Sequence, residues 1–103
     1  MSTLHTVNKS PFERNSLDTC LMVVKNDSSV LLIEDGVAAA LQNTTASQSI
    51  VQAMAEGVKF AVLGEDLNAR GLPADRLIDG ISVVDYSGFV QLAADHDNVQ
   101  SWL

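Results

Sequence analysis

At 103 residues, with 47 % hydrophobic and 18 % charged side chains, the chain has enough apolar surface for one packed domain over residues 1–103 and too little length for two. Thirteen acidic against six basic side chains leave a formal charge of −7 with no basic run, which excludes direct electrostatic capture of nucleic acid. A single cysteine excludes an internal disulfide, the widely separated His5 and His96 give no Cys/His metal spacing, and no apolar run approaches the roughly 18 residues of a membrane span.

The N-terminal stretch MSTLHTVNKS lacks the charged head and apolar region of an export signal, so a soluble, non-exported chain is expected. Leu4–Val7 is the first of four short runs rich in Val, Ile and Leu that read as buried strands; the others are Val30–Ile33, Val58–Leu63 and Ile81–Val84. Between the first two, a helix is predicted from about Phe12 to Lys25, with Leu17, Cys20, Leu21 and Val24 forming one apolar stripe. Asp35 and Gly36 close the second strand and open a small helix through Leu41. Thr45 and Gln48 match a capping box ahead of Ile50, Ala53 and Met54, and Gly57 suits the left-handed position after the helix.

After the third strand, GEDLNARGL gives one or two helical turns stopped at Gly71 and Pro73. Asp85 is placed to cap the last helix, whose Tyr86, Phe89, Val90 and Ala93 fall at i, i+3, i+4 and i+7. The tail NVQSWL ends on Trp102 and Leu103, large apolar residues that must dock on this domain or on a partner. Strands alternating with helices point to an α/β fold with a parallel sheet covered on both faces.

Ligands of such sheets sit beyond the carboxyl ends of the strands. Here those ends carry Asn8, Lys9 and Ser10, then Glu34 and Asp35, then Gly64, Glu65 and Asp66, then Asp85. An acidic rim repels phosphate, and neither GxGxxG nor GxxxxGK[ST] is present, so no nucleotide or other cofactor is expected. Asp35, Asp66 and Asp85 read as helix caps rather than as catalytic acids. His5 and His96 read as structural, with His96 suited to a helix C-terminus.

Cys20 supports two readings. A sulfur-transferring cysteine needs an exposed, acidified thiol, and a mid-helix position near Asp18 offers little of either. A core cysteine needs only a place on the apolar stripe.

Taken together, LHTVNKSPF, LLIEDGVAAAL, LGEDLNARGL, ISVVDYSGFVQL and the terminal Trp102 resemble the TusB/DsrH family, in register over nearly the whole chain. The resemblance implies a three-layer α/β/α domain with a mostly parallel, about five-stranded sheet, like DsrE and DsrF proteins. It also implies a subunit of a cytoplasmic, heterohexameric sulfur-relay complex with DsrE-like (TusD-like) and DsrF-like (TusC-like) partners. The main persulfide carrier there lies on the DsrE-like subunit, and a TusE/DsrC-like protein is the expected downstream acceptor.

A cysteine in the first helix is typical of the DsrH branch, so the resemblance makes Cys20 a candidate persulfide acceptor. Together with NKSPFERNSL it tilts the expected output towards intracellular sulfur oxidation. The alternative outputs are 2-thiolation of the tRNA wobble uridine by a TusB-like subunit and a stand-alone small-ligand-binding domain.

Overall fold

The computed structural model describes residues 2–25 and 27–103. Five parallel strands form one sheet in the order β4-β3-β2-β1-β5. They are β1 (Thr3–Val7), β2 (Ser29–Leu32), β3 (Lys59–Leu63), β4 (Ser82–Val84) and β5 (Asn98–Trp102), with helices α1 (Ser16–Val23), α2 (Ser47–Ala55), α3 (Gly64–Ala69) and α4 (Tyr86–Asp95) between them. A 3₁₀ segment, Glu34–Ala40, follows β2, and a second, Ala74–Arg76, precedes β4. The parallel α/β architecture expected from the alternation of elements is the one observed.

The strand order explains how the layers fill. From β1 to β4 the chain moves across the sheet in one direction, and right-handed crossovers place all of those connections on one face. That face carries the main core, where Val7, Val30, Leu32, Phe60 and Val62 meet Leu17 and Cys20 of α1, Val37 of the 3₁₀ segment, Ile50 of α2 and Leu67 of α3. Only the return from β4 to β5 runs back, so α4 alone lies on the opposite face. There Leu4, Leu31 and Ala61 pack against Phe89, Leu92 and Ala93. A ten-residue helix is about 15 Å long and covers the middle of a five-stranded sheet without reaching both edges.

One expectation changes on this face. Tyr86 and Val90, placed by periodicity on the buried stripe of α4, are 57 % and 69 % exposed. The packed stripe is rotated onto Phe89, Leu92 and Ala93 because the helix meets the sheet over β1, β2 and β3, at Leu4, Leu31 and Ala61. The tail, in turn, is a fifth strand. Thr3 through Val7 pair in register with Asn98 through Trp102, and Trp102 packs against the main core while Leu103 stays 78 % exposed.

The glycine stops act as the sequence suggests. Gly57 has φ +102°. Its N–H donates to the Met54 carbonyl (3.0 Å) and the Val58 N–H to that of Ala53 (3.1 Å), the double bond of a Schellman end. At Gly36 the constraint is contact, since a Cβ there would lie 2.2 Å from the carbonyl oxygen of Val7.

The start of α2 differs from expectation. Ala46, not Thr45, occupies the N-cap and makes no side-chain cap bond. The turn is tied instead by Thr44 and Ser47: the Thr44 N–H donates to Ser47 Oγ (3.0 Å), which donates to the Leu41 carbonyl (3.1 Å).

Candidate functional site

The acidic rim at the carboxyl ends of the strands is cross-linked within the chain. Asp85 caps α4, its Oδ1 accepting the Gly88 N–H at 2.7 Å, as its position in the sequence suggests. Asp66 and Asp35 do other work. Asp66 Oδ2 accepts the Glu34 N–H at 2.6 Å, tying the loop after β3 to the loop after β2, where Glu34 holds the left-handed φ of +50°. Arg70 then bridges the two loops, its Nε donating to Asp35 Oδ1 at 3.0 Å with Asp66 Oδ1 3.8 Å from its Nη1. A carboxylate that caps its own helix and one that caps a loop 32 residues away carry the same sequence signature; only the approach of the loops separates them.

Glu65 completes this side of the rim. Its Oε2 accepts the Tyr86 N–H at 3.4 Å, and with Gly64, Asn68, Val83, Val84, Asp85 and Gly88 it lines a shallow crevice. Among the described residues no group of three or more His, Cys, Asp or Glu is placed to hold a metal ion. The rim is a set of backbone acceptors and one ion-paired arginine, an arrangement that fixes loops.

Cys20 lies on the inward stripe of α1 with Leu17 and is 0 % exposed. Its surroundings are the apolar core of the sheet's main face, and burial pushes the thiol from 9.0 up to about 12. A persulfide acceptor attacks as an exposed thiolate. In this fold the Cys20 sulfur is enclosed and protonated, the state in which cysteine behaves as a small hydrophobe.

His5 is buried on the main-face side of β1, and its Nδ1 accepts the indole N–H of Trp102 at 3.1 Å. Burial first, and the charge of His96 second, lower its pKa below the usual 6.5, consistent with a neutral ring that offers Nδ1 as an acceptor. His96 ends α4. Its Nδ1 lies 2.6 Å from the Leu92 carbonyl and its Nε2 3.0 Å from Ser29 Oγ, so it closes the helix and joins it to the start of β2. Sequence reasoning placed His96 at the helix end but had no signal for Ser29, which is 67 residues away.

Large apolar side chains also face outward. Met22 and Val23 on α1 are 84 % and 54 % exposed, and Tyr86 and Val90 form an i, i+4 ridge on the outer side of α4. No helix is long and apolar enough to cross a membrane among the described residues.

A family model described as DsrH like protein matches residues 9–99. Curated relatives over nearly their full length include Protein TusB of Pectobacterium parmentieri, 34 % identical over 96 % of this chain and 99 % of that protein. Protein TusB of Erwinia tasmaniensis is 37 % identical with the same coverage. Among solved structures, the ychN protein from E. coli superposes with a TM-score of 0.82 at 20 % identity, covering 99 % of this chain and 100 % of that one. Protein MTH1491 from Methanobacterium thermoautotrophicum reaches 0.76 at 16 % identity, with 96 % and 97 % covered. At those identities the two structures establish a shared fold. The named full-length relatives are TusB proteins, so the tilt towards the sulfur-oxidising branch is not what the comparisons favour.

Proposed function

The chain belongs to the DsrH-like family, and from that membership we propose that it is a TusB-like subunit of a cytoplasmic sulfur-relay complex supporting 2-thiolation of the tRNA wobble uridine. The observation that carries this reading is the match, at 34 % and 37 % identity and end to end, to proteins named TusB. Sulfur oxidation rested on the presence of Cys20 and on the NKSPFERNSL stretch, and a buried, unacidified thiol gives it no further support.

The proposed role is architectural. Cys20 packs α1 onto the sheet, and the persulfide is carried on a TusD-like partner. TusC-like and TusD-like subunits complete the heterohexamer, with a TusE-like protein receiving the sulfur. The outward-facing Met22, Val23, Tyr86 and Val90 suit a chain that buries further surface on association, since apolar side chains of this size in neighbouring positions mark contact surfaces. The net charge of −7 supports an indirect relation to tRNA, through the acceptor protein.

Two measurements test the reading. Co-expression with TusC-like and TusD-like neighbours, followed by native mass spectrometry, is expected to give one assembly with two copies of each chain. Deleting the gene is expected to abolish the mercury-gel retardation of thiolated tRNA. Failure to co-assemble overturns the architectural role, and normal thiolation in the deletion strain overturns the pathway.

A further inference from the structure

A polar cleft outside the rim lies at the opposite, amino-terminal end of the sheet, with a volume of about 450 Å³. Ser2, Ser28 and Ser29, Lys59 at the start of β3, and Asp95 and His96 at the end of α4 line it. A narrow slot of about 180 Å³ adjoins it, sharing Ser29, Lys59 and Leu92, and is walled mainly by carbon from Phe60, Ala61, Val84 and Leu92. The slot exists because α4 covers only the middle of this face, leaving a gap between its last turn and the strands beneath.

The polar groups fall into two opposite sets. Lys59 makes no ion pair or side-chain hydrogen bond among the described residues and brings a positive charge to the cleft wall. Ser29 Oγ, held 3.0 Å from His96 Nε2, stands on the same wall. Asp95 supplies a carboxylate whose Oδ1 accepts from Gln91 at 2.8 Å and whose second oxygen has no hydrogen bond among the described residues. A second carboxylate, Asp27, lines the cleft as well.

A lone anion would meet the Asp95 carboxylate there, and a lone cation would meet Lys59. A molecule carrying both charges on groups bonded to one carbon satisfies each set, and the apolar slot accepts a short aliphatic chain. We propose that this cleft binds a free α-amino acid with an aliphatic side chain: its carboxylate on Lys59, its ammonium on Asp95, and its side chain in the slot beside Ala61, Val84 and Leu92. The proposal is independent of the sulfur-relay reading, since it rests on residues at the other end of the sheet from the rim.

The test is equilibrium dialysis of the full chain, as it purifies alone or with bound partners, against radiolabelled L-leucine. Saturable binding near one equivalent per chain is expected. Competition by leucine methyl ester, which lacks the carboxylate, and by 4-methylpentanoate, which lacks the ammonium, should be at least tenfold weaker than by unlabelled leucine. Lys59→Met and Asp95→Asn should each weaken binding tenfold or more with unchanged thermal unfolding, and Lys9→Met, at the far end of β1, should leave it unchanged. Absence of saturable binding overturns the proposal, as does equal competition by either truncated compound or equal binding by Lys59→Met.

Discussion

Replacing Cys20 separates a packing thiol from an accepting one. In the fold its sulfur is 0 % exposed and its pKa is pushed up to about 12 from 9.0, a rise of three units that cuts the thiolate fraction at neutral pH about a thousandfold. Closure of the site slows reaction further, so modification by a maleimide should proceed through opening of α1. Native protein is expected to react orders of magnitude more slowly than the same protein in urea, and intact mass after incubation with a persulfide donor should show no added sulfur on this chain. Cys20→Ser places a hydroxyl without a partner in the apolar core and should cost about 1–3 kcal/mol, which for a domain of this size lowers Tm by about 4–8 °C per kcal/mol.

The raised pKa also fixes a pH dependence. The unfolded thiol loses its proton above about 9 while the folded one keeps it, so the unfolded state binds fewer protons there. Stability is therefore full below pH 9 and is lost as pH rises from 9 towards 12, by up to about 1.4 kcal/mol per pH unit. Urea unfolding at pH 7.5, 9.5 and 10.5 should show that fall in wild type and a shallower one in Cys20→Ala. Rapid stoichiometric labelling of the native protein, or one added sulfur that Cys20→Ala abolishes, would refute the packing role.

His5 titrates with the opposite sign. Its lowered pKa means that the unfolded ring takes up a proton first as pH falls below about 6.5, so stability is full above that value and declines below it. Tryptophan fluorescence during urea unfolding at pH 5.5 and 7.5, read on Trp102 itself, should show the loss, and His5→Gln should reduce it. Gly36→Ala drives a methyl to 2.2 Å from the Val7 carbonyl oxygen and should destabilise by about 1–3 kcal/mol or more, measured as a lower urea midpoint at unchanged slope. Asp85→Ala removes the acceptor of the Gly88 N–H and should cost about 1 kcal/mol, whereas Asp85→Asn should retain most of the stability; equal losses in both variants would rule out the cap.

Three of the four strands legible in the sequence are central, buried on both faces and read as unbroken apolar runs, while the edge strand β4 is legible from Ile81, Val83 and Val84 although mostly exposed. β2 is buried at every position, and β1 and β3 are buried at four of five each. The segment Asn98–Trp102 escapes the same test since four of its five residues are exposed; an edge strand is defined by the neighbour it pairs with, here β1. Gly57, Gly71 and Asp85 were equally legible, each acting on groups within a few residues of itself.

What depended on tertiary structure is what depended on distant partners. The stripe of α1 places Cys20 on its inner side, but only the sheet core packed against α1 closes the sulfur off from water. Periodicity finds an apolar line on α4, yet the line that meets the sheet is set by where the β4-to-β5 crossover must land, and Tyr86 and Val90 are left outside. Asp66 reaches Glu34 across 32 residues and His96 reaches Ser29 across 67. Local signals fix elements and their ends because they act through the backbone within a turn or two; which side chains then meet is decided by strand order, and that is set by the whole chain.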